Sequence, residues 1–233
     1  MGGATRVLSR GLRMVWEELF TLVIVAALWT LVALGPPLVA GGIGGWLAAL
    51  VVLLVSLPPA TAGAYYVTNR LAHDRVGSAS HFIDGMRRYA VPSWILAVLD
   101  GIVLLIVILN LRFYGTLDAV WVPFAIAMWL AVLFVWLIVQ LFVFPVLMEQ
   151  QEPRVPLALR NSLLISFGSP FHTLPVVVLI ALVVGLLLFL APNLPGVIPL
   201  FLLVPPLVAL LTNVAVVERL KQLRGEPDIE SEE

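Results

Sequence analysis

The sequence predicts an all-α membrane protein with six transmembrane helices and two short cytoplasmic interfacial amphipathic helices, on three observations. Hydrophobic residues make up 61% of the 233-residue chain and charged residues only 12%, with a mean hydropathy of +1.08, far from a soluble domain. Six apolar runs, at 17–34, 43–66, 92–111, 119–145, 172–191 and 195–217, each approach the ~20 residues that span a bilayer as a helix. If each run is a crossing, twelve of the thirteen Lys and Arg residues fall on one side, and only Arg112 on the other. Cationic loops stay in the cytoplasm during insertion, so this alternation places both termini inside.

The elements follow in order. The first run has the Arg-then-apolar order of a signal peptide, but Leu19–Leu34 is long and no small-x-small cleavage site follows. It reads as a retained signal anchor. Gly35-Pro36-Pro37 and Gly41-Gly42-Ile43-Gly44-Gly45 predict a tight hairpin to the second run, since both stretches break helix. Ala191-Pro192-Asn193-Leu194-Pro195-Gly196 predicts a second uncharged turn. Trp16 and Trp94 at inner ends, and Trp46 and Trp121 at outer ends, mark headgroup level. Residues 1–217 then form one transmembrane domain, and 218–233 an acidic tail expected to be disordered.

Two inner segments are too polar to cross. Residues 78–89 place Phe82, Met86 and Tyr89 on one helical face, with Arg87 and Arg88 mostly elsewhere; residues 156–167 carry Leu159 and Leu163 four apart, beside Arg160. Both patterns predict helices lying in the interface. Packing there, or a docking surface for a cytosolic partner, accounts equally for such a periodicity. Pro58-Pro59, Pro145 and Pro205-Pro206 recur in the inner halves of the second, fourth and sixth runs. Prolines in corresponding positions are either kinks that build a transporter site or bends into an interfacial segment.

Candidate chemistry is sparse. Asp100 is the one carboxylate inside a predicted crossing. A charge there costs at least about 2.5 kcal/mol on insertion scales, so the group should face the bundle interior and have a partner or be protonated. It is either a proton- or cation-coupling group or one half of an ion pair with Arg87, Arg88 or Arg70. Gln140, also mid-crossing, reads as interhelical glue. The chain has no Cys, no phosphate-binding loop, no HExxH and no nucleophile elbow, and its three histidines are scattered. We therefore expect no catalytic residue, metal or cofactor, and a net charge of −1 gives no basic surface for nucleic acid.

The stretch Ser56–Tyr89 (SLPPATAGAYYVTNRLAHDRVGSASHFIDGMRRY) resembles the signature of the YesL family of small bacterial membrane proteins, whose function is unknown. Leu57, Pro58, Pro59, Thr61, Tyr65, Tyr66, Arg70, Phe82, Arg87, Arg88 and Tyr89 carry the likeness, together with Leu159, Asn161, Ser162 and Pro170 in a second region. The doubled proline departs from the single one usual there. The resemblance implies a bacterial inner-membrane protein, and the family's frequent gene proximity to sugar importers implies partnership with ABC-type sugar permease subunits. The function expected is that of a non-catalytic accessory or scaffold protein associated with carbohydrate transport. The alternative is a small secondary transporter coupled through Asp100.

Overall fold

The computed structural model describes residues 3–168, 170–190 and 200–224, which form helices and no strand. The predicted turn at 191–196, the start of the sixth run and residues 225–233 of the tail lie outside them; residues 218–224, expected to be disordered with that tail, are helical instead. In chain order the helices are α1 (Gly3–Glu17), α2 (Leu19–Ala33), α3 (Gly35–Ala72), α4 (Ala79–Gly115), α5 (Val122–Met148), α6 (Val155–Gly168), α7 (Pro170–Leu190) and α8 (Val204–Arg224). Five helical stretches are long and apolar enough to cross a membrane: Leu19–Ala72, Ala79–Gly115, Val122–Met148, Thr173–Leu190 and Leu200–Arg224.

The first of these stretches is folded back on itself. The chain reverses at Gly45, whose φ of 78° is a backbone conformation that glycine adopts without a Cβ clash. A Cβ on Gly41 would lie 3.2 Å from that of Ala49, and one on Gly44 only 2.7 Å from that of Ala48. Farther from the turn, the Trp29 indole donates to Thr61 Oγ1 at 3.3 Å and Ser56 Oγ to the Ala33 carbonyl at 3.0 Å. All these pairs are centred on Gly45, which defines an antiparallel hairpin with arms 19–44 and 46–72. The tight hairpin expected over 35–45 is thus present, with its reversal at the last of those glycines rather than at the prolines. Leu34 N–H bonds Thr30 O and Leu38 N–H bonds Leu34 O, so helix runs through Gly35-Pro36-Pro37.

Helix survives these prolines because neighbours repair it. Pro37 has no N–H to give the Ala33 carbonyl four residues back, and Ser56 supplies the missing donor. Pro59 likewise frees the Val55 carbonyl, and the Trp94 indole of α4 donates to it at 3.0 Å. A freed carbonyl in hydrocarbon demands such a partner. Trp94→Phe should therefore lower unfolding free energy by about 1 kcal/mol. The loss should shrink when Pro59→Ala restores the backbone donor, a double-mutant cycle readable by unfolding in detergent.

Helices α3 and α4 pack closely. A Cβ on Gly63 would meet the Phe82 carbonyl at 2.8 Å, and one on Gly85 would meet Tyr66 Cβ at 2.4 Å. Phe82, Gly85 and Tyr89 are buried in this contact. The segment 78–89 is therefore not a separate interfacial helix. Ser78 caps it by accepting from His81 N–H, and it continues through Pro92 as the first turns of α4. Residues 156–167 do form a short helix, α6, but it buries Val155, Ala158, Ser162 and Ser166, while Leu163 and Leu164 are exposed. Small residues let α6 lie against α5; of the Leu159/Leu163 pair, Leu159 packs against the core and Leu163 does not. The amphipathic helix missing from the sequence analysis is α1, which buries Val7, Gly11 and Met14 and exposes Leu12, Arg13 and Trp16.

We call the end holding α1 and the last turns of α8 basal, and the end at Gly45 distal. Burial is concentrated basally: α3 over Pro58–Ala72, α4 from Phe82 to Leu96, α5 from Ile138 onward and α8 from Pro206 to Val217. The proline repeat does not hold in this geometry. Pro58 and Pro59 are mid-arm, Pro145 is in the last turn of α5, and Pro205-Pro206 open α8, where proline costs no hydrogen bond.

Candidate functional site

Two polar constellations stand out against the apolar bundle. The larger is basal, where α3, α5 and α8 meet. Asn213, fully buried on α8, donates through Nδ2 to Thr68 Oγ1 at 2.9 Å, Tyr65 O at 3.2 Å and Ala209 O at 2.9 Å. Its Oδ1 accepts from Asn69 Nδ2 at 3.3 Å, and that same amide donates to Glu149 Oε1 at 2.8 Å. His73 Nε2 lies 2.7 Å from the same carboxylate oxygen. Asn69 and His73 are four residues apart and so share one face of α3, while Glu149 caps the C-terminus of α5. The chain Asn213–Asn69–Glu149–His73 thus runs from the core to the half-exposed His73.

A second basal cluster joins the ends of the chain. Arg10 of α1 bonds Glu218 of α8, Asp74 Oδ2 at 2.9 Å and the Ala72 carbonyl at 3.1 Å. Burial opposes the Arg10 charge, but the bonds to Glu218 and Asp74 outweigh it and raise its pKa.

Burial alone would raise the Glu149 pKa; donation from His73 and Asn69 wins, and the net shift is below the ordinary 4.5. A carboxylate with a depressed folded-state pKa contributes stability that is present above its unfolded pKa and lost as pH falls through the folded value. Melting temperature should therefore drop as pH is lowered below the ordinary 4.5, and Glu149→Gln should flatten that drop while lowering stability at neutral pH.

The smaller constellation is in the apolar body. Asp100 of α4 is half-buried and accepts a bond from the Trp136 indole of α5 at 2.9 Å. It makes no ion pair with Arg70, Arg87 or Arg88, so the ion-pair alternative is overturned. Arg88 lies 5.5 Å from the Tyr89 ring centroid, and the Arg70 Nε donates to Val76 O. Twelve residues of helix put Arg88 about 18 Å from Asp100 along the axis, beyond side-chain reach. Gln140, one turn from Trp136, has a buried Nε2 with no partner, as does the Trp129 indole.

Asp100→Asn keeps an acceptor for Trp136 and strands no cation. It should change the unfolding free energy by no more than the about 0.6 kcal/mol typical of one hydrogen bond in a membrane protein, which a detergent melt would check.

Of the other expected positions, Phe82 and Tyr89 are buried between α3 and α4 and Met86 is half-buried there, so they cannot dock a partner. Arg87, Arg88 and Arg160 are exposed. Asn69, His73, Glu149 and Asn213 were not singled out by the sequence; the one signal was an Asn inside the apolar run LLTNVAVV (210–217). No group of three metal-ligating side chains occurs among the described residues.

These features define a class: a helical, membrane-embedded protein with long apolar helices and few internal polar contacts. No family model, curated protein or solved structure matches the chain.

Proposed function

We propose that this chain is a six-crossing bacterial inner-membrane protein with both termini cytoplasmic, and that it acts as a non-catalytic accessory protein binding laterally to transport proteins. The six crossings are the two arms of the Gly45 hairpin with α4, α5, α7 and α8, and the basal end is cytoplasmic by its cations. The observation that carries the lateral role is the division of the bundle. Its basal half is closed by buried side chains, while its distal half leaves Leu50, Val51, Leu54, Val98, Ile102, Leu105, Phe134 and Leu137 exposed. A surface of this kind suits helix-on-helix association within the bilayer.

Carbohydrate uptake as the system served rests on the resemblance to the YesL family. The test is affinity purification in mild detergent together with sugar uptake in a deletion strain. Co-purification of permease subunits and altered uptake are expected. Recovery of the protein alone, with uptake unchanged, would sink the proposal. A second function, proton- or cation-coupled transport through Asp100, draws on the absence of an internal cation partner for that group. Purified protein in liposomes should then move a solute, and Asp100→Asn should abolish the flux.

A further inference from the structure

We infer that the α4 face beside Asp100 docks a membrane-spanning helix of a different protein, one that carries a Lys or Arg at the depth of Asp100. This inference rests on the lateral-association proposal and names its contact.

One flank of α4 is open at this position. Trp94 bonds the Val55 carbonyl, and in the same antiparallel register the next turn brings Val98 opposite Val51. Both are open, at 62% and 60% exposure. This flank of α4 is therefore open next to Asp100, and the one side chain bonded to Asp100 is Trp136 of α5. The Trp136 indole bonds Oδ1 alone. A carboxylate with one neutral donor in hydrocarbon is poorly compensated, and intramembrane acids characteristically pair with a cation. Beside it, a Cβ on Gly101 would meet nothing within 4 Å, leaving room for another backbone to come close.

Charge complementarity selects the occupant. On α4 the flanking cations are Arg88 and Arg112, each twelve residues from Asp100, or about 18 Å along the helix. None of the six proposed crossings holds a Lys or Arg at this depth. A second copy in the same orientation would bring another Asp100 to this level and no cation, a like-charge arrangement that opposes pairing. A cation that pairs with Asp100 at this depth therefore comes from a different chain.

The experiment uses the full-length protein in its native membrane, with a photo-crosslinking amino acid at Val98 or Gly101. We expect an adduct with a protein whose spanning segment contains Lys or Arg. Its yield should fall at least about tenfold in Asp100→Asn, the loss of one favourable charge pair of about 1.4 kcal/mol, and recover in Asp100→Glu. An adduct indifferent to Asp100→Asn, a partner segment without a cation, a crosslink to a second copy, or lipid adducts alone would each overturn the inference. Detergent melts of both variants separate loss of docking from loss of fold. Crosslinkers on α7, at Leu182 and Leu186, distinguish the two proposals: protein adducts there but not at α4 would leave lateral association standing and this contact refuted. Protein adducts at none of these positions would count against both.

Discussion

Gly85→Ala should be the most damaging single methyl in the protein. The added Cβ would sit 2.4 Å from Tyr66 Cβ and 2.9 Å from its Cγ, both near the rigid root of the ring. Rotating the Tyr66 side chain cannot move its own Cβ, so the helices must part. That separation would also loosen Phe82 and Tyr89, two of the largest fully buried side chains. We expect a loss of about 3 kcal/mol, the upper end of ordinary overpacking, read as a shifted unfolding midpoint in detergent. Gly101→Ala is the matched control: nothing lies near its Cβ, and alanine is the better helix former. Equal melting of the two variants would mean that the α3–α4 interface is not as described.

Asn213→Leu should rank next. The side chain is fully buried and ties α8 to α3 through three interhelical bonds: to Tyr65 O, to Thr68 Oγ1 and from Asn69. Hydrogen bonds between membrane helices average about 0.6 and reach about 1.7 kcal/mol each, so the loss should be roughly 2–4 kcal/mol once Thr68 and Asn69 are left under-satisfied. Asn69 still has Glu149, so a combined Asn69→Leu/Asn213→Leu variant should lose less than the two single losses added together. Strict additivity in that cycle would show that the four residues do not act as one network.

The sequence made the coarse architecture legible because hydropathy and cation placement are local quantities. Among the described residues, five long apolar helical stretches overlap the runs that were read, and Asp100 was recognisable as an acid within an apolar run from its position alone. What escaped depended on partners distant in the chain. The break expected at Gly35-Pro36-Pro37 was misplaced because Ser56, on the other arm, supplies the donor that Pro37 removes. The segment 78–89 had the periodicity of an interfacial helix, yet that periodicity equally describes a face pressed against Gly63 and Tyr66. The ion pair proposed for Asp100 failed on helix rise, since the Arg residues considered lie too far along the axis. Asn213 was invisible as a hub because Thr68 precedes it by 145 residues.

The Arg10 contact bears on how the chain is made. Arg10 and Glu218 are 208 residues apart, so α1 is made long before the helix that matches its charge on that side. Until α8 arrives, Arg10 can reach only what the first hairpin offers, Asp74 and the Ala72 carbonyl. Helices α1 and α8 thus form a clasp that shuts only once α8 is in place, and Glu218 is the residue that closes it.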